Sequence, residues 1–329
     1  MNASGDLSQP VSVACALCTS TSCTHLYPLQ RSAIVKCNSC GFCYVNPRMS
    51  SDVLKARLQA WAQQDVVDAE RLRIAYEDHT LALYDRYLKR MRQIVPPGRL
   101  LDVGCSTGAL MFAAQQQGWS VEGLEIGEVS AAYAAQRLQV PVHAQSLYDF
   151  VAAPGSYDAI AFLEVIEHLE NPVAAVQQLN HWLRPGGVLL VSTPNFDSLF
   201  RRLFGTRWWV VNCEEEHIQL FNRHSLEQVL QQHGFDVTWT HIRGLDVAGL
   251  VQTWRSSKGN AASQHAHQPD EQGYHGARTR KEKLKSVLAQ VGLIKAARLG
   301  LYGLDLLSSA RYSPLHAVGE QLVMLAVKR

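Results

Sequence analysis

The 329-residue chain has no apolar run approaching the ~20 residues needed to cross a bilayer, because charges interrupt each apolar stretch well short of that length. No apolar leader follows Met1-Asn2-Ala3, so a cytoplasmic location is expected. Charge of one sign is also missing. With 31 basic and 29 acidic side chains the formal net charge is +2, so no overall field draws the molecule onto nucleic acid or an anionic membrane. Any such partner must be met by a local patch. Internal repeats are absent. Cysteine is scarce beyond residue 44, where only Cys105 and Cys213 of the eight occur, a distribution unlike a disulfide framework spread through a secreted fold. What remains, 47% apolar and 18% charged, is a globular composition long enough for one large domain with appendages, or two domains.

The cysteines that are present cluster at the start. Cys15-Ala-Leu-Cys18 and Cys37-Asn-Ser-Cys40 are two C-x-x-C pairs with eighteen residues between them, the spacing of a four-cysteine zinc site. Each pair of thiolates occupies two corners of a tetrahedron, and the metal stabilises a segment too short to build its own core. Gly41 suits the backbone reversal of the second knuckle. A redox C-x-x-C is the competing reading, but such motifs usually come singly beside a βαβ unit. Cys23 and Cys43 are left over, to pack or to lie exposed.

From Gly98 the chain reads GRLLDVGCSTGALMFAAQQQGWSVEGLEI. Arg99 to Val103 reads as a short strand, Gly104-Cys105-Ser106-Thr107-Gly108 as a tight loop, Ala109 to Gln117 as a helix and Ser120 to Ile126 as a second strand ending at Glu125. Such a unit lets a ligand approach the backbone, and an acid ending the next strand accepts hydrogen bonds from ribose hydroxyls. The expected fold is α/β, a Rossmann-like doubly wound sheet with a small N-terminal zinc ribbon. A dinucleotide fingerprint needs glycine at 106, where Ser106 stands, and Ala109 occupies its third position, so pyrophosphate binding is poorly served.

Asp102-Val103-Gly104-Cys105-Ser106-Thr107-Gly108 followed by Glu125 resembles the first two motifs of class I S-adenosylmethionine-dependent methyltransferases. The similarity continues through Tyr157-Asp158-Ala159-Ile160 as fourth strand, Leu183-Arg184-Pro185-Gly186-Gly187 turning into Val188 to Ser192, and GEQLVMLAVK from Gly319 as closing strand. Together with the cysteine pairs, Tyr44-Val45-Asn46-Pro47-Arg48 and Glu216-His217-Ile218-Gln219-Leu220-Phe221, the chain resembles bacterial methyltransferases with an N-terminal zinc ribbon, many associated with sugars, glycans or small metabolites. The resemblance implies S-adenosylmethionine as cofactor, held by Asp102, Gly104, Cys105, Gly108, Glu125, Ile126, Ser146, Leu147 and Leu163. Two departures stand out: Ser106 replaces a common glycine, and Gln145-Ser146 stands where an acid often contacts the adenine.

After the fourth strand the chain reads FLEVIEHLENP, placing Glu164, Glu167 and His168 at i, i+3 and i+4, one face of a helical turn. Three readings stand: a cation site, a metal-free acceptor site, or a turn that caps and orients the helix opened by Asn171-Pro172. The first resembles the small-RNA 2′-O-methyltransferases and the ubiquinone-pathway O-methyltransferases. That likeness implies Mg²⁺ at Glu164, Glu167, His168 and His217, where it would lower the pKa of an acceptor hydroxyl. His217 is also the candidate general base.

The resemblance, together with the shift in composition after residue 254, implies a zinc ribbon over 1–48, a helical cofactor-covering segment over 49–97, a methyltransferase core over 98–254, a linker and amphipathic helical insertion over 255–314, and a closing strand over 315–329. Leu54, Leu58, Trp61, Ile74, Leu81, Tyr84 and Leu88 recur at helical spacing and read as a packed stripe. Phe200, Phe204, Trp208 and Trp209 beside Arg201, Arg202 and Arg207 read either as an acceptor lid or as a helix packed on the sheet. The stretch 281–312 suits a lid or dimer contact, with a weak membrane-surface contact as the alternative. The expected activity is O-methylation of a sugar-like or other small-molecule acceptor. The alternatives are a metal-dependent RNA 2′-O-methyltransferase, opposed by near-neutral charge, and a non-catalytic cofactor-sensing binding module.

Overall fold

Five residues, Arg99–Val103, form the strand from which the rest of the sheet is built (β4, in chain order), and all but the first are buried. A strand apolar on both faces needs cover on both, which parallel sheets obtain from crossover helices. In the computed structural model, which describes residues 10–63, 65–212, 216–244 and 319–329, that cover is present. An N-terminal part contributes β1 (Cys23–Pro28), β2 (Ala33–Cys37), β3 (Cys43–Val45), α1 (Ser51–Gln63), α2 (Ala69–Ala75) and α3 (Asp78–Met91). After β4 come α4 (Ala109–Gln115), β5 (Ser120–Glu125), α5 (Glu128–Leu138), β6 (Val142–Ala144) and β7 (Tyr157–Leu163). A short 3₁₀ turn (Ile166–His168) leads to α6 (Pro172–Trp182), β8 (Leu183–Pro194), α7 (Leu199–Phe204) and α8 (Trp209–Asn212). Then follow β9 (Gln219–Leu220), α9 (Arg223–Gln232), β10 (Phe235–Arg243) and β11 (Gln321–Lys328).

The large sheet has seven strands in the order β10-β11-β8-β7-β4-β5-β6, with β11 antiparallel to both its neighbours. The pleat sorts β7 by face: Ile160 and Phe162 join one core with Leu179 and Trp182 of α6, whereas Ala159 and Ala161 join the other with Leu88 of α3 and Leu110 of α4. The order reverses beside β4, so the turn after β4 opens at a switch point, where ligands of open α/β sheets collect. The expected doubly wound sheet is therefore present.

Local chemistry fixes the element ends. Asn171 accepts a hydrogen bond from Ala174 N–H at 2.9 Å and Pro172 opens α6, as the sequence indicates. Asn222 and Ser225 form a capping box that starts α9 two residues earlier than Ser225 itself. The expected helical segment over 49–97 is broken into three helices, the second capped by Asp68, whose carboxylate accepts from Arg71 N–H. The break also divides the apolar stripe. Leu88 is buried, but Leu58 and Ile74 are 46% and 48% exposed, so they do not pack as the periodicity suggests.

The cysteine-bearing strands do not stand apart from the core. They make a second, antiparallel sheet in the order β1-β2-β3-β9, whose last strand comes from residues 219–220. The linker and amphipathic insertion expected at 255–314 lie outside the described residues, as does the stretch 281–312 considered for a membrane surface. No helix among the described residues is long and apolar enough to cross a membrane.

Candidate functional site

The turn after β4 owes its shape to backbone conformation. Gly104 has φ +79° and Gly108 φ +83°, both in the left-handed region that favours glycine. A Cβ on Gly104 would lie 2.4 Å from Val165 Cγ2, which sets the turn directly against the segment after β7. Ser106 also sits at positive φ, +47°, where the resembling family usually has glycine. The hydroxyl has a use here. Ser106 Oγ accepts a hydrogen bond from Arg71 Nη2 at 2.9 Å, and Arg71 Nη1 is paired with Asp65 at 2.6 Å.

Glu125, at the end of β5, is buried and accepts from Ser106 N–H at 2.7 Å and from Gly127 N–H at 2.9 Å. Burial pushes its carboxyl up from the ordinary range against those two donors. Asp102 is buried beneath the turn, and burial followed by the charge of Glu125 raises it to about 7. Two acids held this way favour a ligand bearing a cationic group and vicinal hydroxyls, which are the amino-acid and ribose parts of S-adenosylmethionine. The side chains of Cys105 and Leu147 point elsewhere. Cys105 Sγ is inside under α4, close to Met111 and Gly123, and Leu147 packs in the core with Phe150 and Trp182. Ile126, Ser146 and Leu163 are partly buried near the strand ends.

Sequence reasoning expected a helical cover but did not identify its residues. Asp65 Oδ2 accepts from Ser130 N–H at 2.6 Å, capping α5 where its own N-cap, Gly127, has no side chain to do so. A Cβ on Gly127 would meet Asp65 at 2.5 Å, so the glycine makes room for a cap from a distant segment. Tyr76 donates from its hydroxyl to Thr107 O, and Arg137 stacks over its ring at 4.2 Å. Asp65, Arg71 and Tyr76 thus tie residues 65–76 to the turn. The sequence signal was the pair of aspartates that interrupts the helical run.

Across the turn stands the segment after β7, which departs from the expected helix face. Glu164 has φ +55°, and only Ile166–His168 form a 3₁₀ turn, so the i, i+3, i+4 alignment fails at its first member. Glu164 accepts instead from Ser192 Oγ at 2.6 Å and Gln321 Nε2 at 2.8 Å, along the edge of β8 and β11. Glu167, His168 and His217 are brought together, with one ligand atom from each within 4.8 Å of the others and imidazole centroids 4.8 Å apart. Each imidazole Nδ1 donates to a backbone carbonyl, His168 to Glu216 O and His217 to Val210 O, both at 2.9 Å. With Nδ1 donating, a ring in its neutral form carries its lone pair on Nε2. Glu167 is 2% exposed, Oε2 has no hydrogen-bond partner, and burial, then the charge of Glu164, pushes its carboxyl well up. Burial, reinforced by His217, lowers His168 to about 4, so that ring is neutral at pH 7.

At the N-terminus the Sγ atoms of Cys15, Cys18, Cys37 and Cys40 lie within 4.8 Å of one another, with Cys15–Cys40 at 3.5 Å and Cys18–Cys37 at 3.4 Å. All four are free thiols. Tetrahedral Zn–S bonds of about 2.3 Å set sulfurs about 3.8 Å apart, so the four donors fit zinc. Cys43 is buried and burial raises its thiol to about 11, in keeping with packing. Of the proposed aromatic lid, Trp208 and Phe200 are core residues: Trp208 Nε1–H donates to Glu320 Oε2 at 2.7 Å, and both pack with Ile34 and Val210.

Comparison with known proteins agrees with this geometry. Residues 76–239 match the model of a family described as a methyltransferase domain. Among curated proteins, a ubiquinone biosynthesis O-methyltransferase of Xanthomonas campestris pv. campestris is 34% identical over 110 residues, 32% of this chain and 46% of that protein. One from Xylella fastidiosa is 38% identical over 103 residues, 30% of this chain and 42% of that protein. The chain thus spans less than half the length of these relatives. Among solved structures, 1,6-didemethyltoxoflavin-N1-methyltransferase from Burkholderia thailandensis, with bound 1,6-didemethyltoxoflavin and S-adenosylhomocysteine, superposes with a TM-score of 0.51. It is 14% identical, with 92% of this chain and 98% of that one covered, and is evidence for the fold alone. The sheet order, the glycine turn with its two acids and the matched domain together place this chain among the class I S-adenosylmethionine-dependent methyltransferases.

Proposed function

We propose that the chain transfers a methyl group from S-adenosylmethionine to an oxygen of a sugar-like or other small-molecule acceptor. The observation that carries this reading is the glycine turn at Gly104–Gly108, which approaches Val165 of the segment bearing Glu164, Glu167 and His168, so a cofactor bound at the turn would lie on the side of those residues and of His217. Asp102 and Glu125 would hold the cofactor with the backbone of Gly104, Cys105 and Gly108, and Ile126, Ser146, Leu147 and Leu163 are the further expected neighbours. The cofactor brings an activated methyl, so the chain has to align the acceptor and take its proton. Nε2 of His217 in its neutral form is suited to that proton, and His168 packs beside it.

Glu167, His168 and His217 also fit a divalent cation, which would supply acidification of an acceptor hydroxyl. The expected magnesium set is revised on two counts. Glu164 is committed to Ser192 and Gln321, and two imidazoles with one carboxylate suit Zn²⁺, Mn²⁺ or Fe²⁺ better than magnesium, which prefers oxygen ligands. The relatives' names carry ubiquinone biosynthesis, which favours oxygen as the methylated atom. Incubation of a cell extract with the protein and isotopically labelled methyl donor, with and without added Mn²⁺ or Mg²⁺, tests the reading by mass spectrometry. A labelled, base-stable small molecule supports it; label confined to RNA, or no label, contradicts it.

A further inference from the structure

We infer that the four-cysteine knuckles set the position of Glu167 and His217, so that zinc occupancy governs the acceptor side of the site and leaves the cofactor side unchanged. The inference rests on the reading of those two residues as acceptor-facing.

The physical link is short and made of backbone. The second knuckle is locked by Cys37 N–H donating to Phe42 O at 2.8 Å and Gly41 N–H to Cys37 O at 2.9 Å. The chain leaves that knuckle as β3, which pairs on one side with β2 through Lys36↔Cys43 and Ile34↔Val45, and on the other with β9 through Cys43↔Leu220 and Tyr44↔Gln219. Val45 N–H then donates to Ile218 O at 3.0 Å, and Ile218 N–H donates to Glu167 O at 3.0 Å. Ile218 is therefore clamped between the ribbon strand and Glu167, and the residue before it is His217. Side chains follow the same line. Phe42 packs on Phe221 with centroids 4.9 Å apart, and Cys15, Cys37, Phe42 and Tyr44 share one apolar core with Ile166 and Phe221.

Without its ion a four-cysteine site keeps its knuckles together through the β1–β2 pairing and hydrogen bonds such as Asn38 N–H to Ser22 O at 3.0 Å, and loses the metal bonds that order so small a segment. Displacement of β3 would then move Ile218 and both of its neighbours in the site. The cofactor turn takes its cover from other residues, Asp65, Arg71 and Tyr76. The two halves of the site are thus supported by two separate segments.

The test uses the full chain labelled with [¹³C]histidine, the His217 resonance being assigned from a His217→Gln variant. Val45→Pro removes the one N–H that reaches Ile218 and leaves all four thiols; Val45→Ala keeps that N–H. Zinc is counted by mass spectrometry and S-adenosylhomocysteine affinity is measured by calorimetry. In Val45→Pro the His217 and His168 ring signals should shift while zinc content stays at that of the native chain and affinity changes by less than about twofold. Val45→Ala should leave the rings in place. Stripping zinc from the native chain with a chelator should reproduce the shift, and adding it back should reverse it; Cys37→Ser/Cys40→Ser, which loses the ribbon site but keeps Glu167, His168 and His217, should show the shifted signals with and without added zinc, which separates the ribbon from metal bound by the histidines and decides the matter if Val45→Pro does not fold. Unmoved histidine signals after zinc removal, or ring shifts accompanied by an equal loss of S-adenosylhomocysteine binding, would overturn the inference. A native chain that binds no S-adenosylhomocysteine counts against the methyltransferase reading, and the histidine signals still decide the coupling.

Discussion

Asp102 is held under electrostatic strain on the cofactor side. Its carboxyl is raised to about 7, first by burial and then by Glu125, so the folded chain holds a proton that the unfolded chain releases above about pH 4. The sign follows: this group's contribution to stability falls as pH rises from about 4 to 7. Asp102→Asn removes that dependence. Its melting temperature should decline less than the native chain's between pH 5 and pH 8; parallel declines would show that Asp102 is not the source. Binding of the cationic cofactor favours the ionised form, so calorimetry near pH 6 in buffers of different ionisation enthalpy should report proton release.

The residue scale is also where the sequence was only half legible. Gly104 and Gly108 take positive φ and Asp102 and Glu125 are buried beside them, and such residues stand out in the sequence because each type has few alternative uses at that spacing. Glu164 lies directly after β7, as its position behind the fourth strand indicates, but its positive φ and its partners, Ser192 of β8 and Gln321 of β11, are not legible in the local spacing. Asp65 and Asp68 mark a break in the helical run, but nothing local says that Asp65 caps α5 or that Arg71 reaches Ser106, because both partners are remote in the chain.

At the scale of elements, the strands were easier to place than the helices' ends. A strand such as β7 is apolar because both faces are covered, which no loop would tolerate. Helix length over 49–97 depends instead on where a new helix is capped, as Asp68 caps α2, and the exposure of Leu58 and Ile74 shows that period alone does not say which apolar residues are packed. Asp158 joins two elements: it accepts from Arg99 N–H at 2.8 Å and from Arg184 Nε at 2.6 Å, pinning the start of β4 to the turn within β8. Asp158→Ala should lower stability by about 1–3 kcal/mol in urea unfolding at pH 7. Burial opposes ionisation of Asp158, but the hydrogen bonds from Arg184 and Arg99 outweigh it and hold the carboxyl below its usual value. Its stabilisation is therefore present above about pH 4 and is lost below, so the difference between variant and native chain should shrink in acid. A difference that persists at pH 2 would assign the effect to packing. On the cover, Arg71→Ala severs the ties to Asp65 and Ser106, and S-adenosylhomocysteine should dissociate about tenfold faster in stopped-flow displacement, the equivalent of about 1.4 kcal/mol. An unchanged rate would mean that residues 65–76 do not cover the ligand.

For the whole molecule, the structure joins what composition separated. The ribbon reads in sequence as an appendage, yet its sheet is completed by β9 and its core runs into that of the large sheet. A two-residue strand such as Gln219–Leu220 has no pattern of its own to announce that pairing. The central claim is that the turn after β4 binds the sulfonium cofactor, and one calorimetric titration tests it. S-adenosylmethionine should bind the native chain with one site, whereas Gly104→Arg, whose side chain must enter the space of Val165, should retain its zinc and bind none. Equal binding by both chains, or binding of a dinucleotide in place of S-adenosylmethionine, would contradict the account.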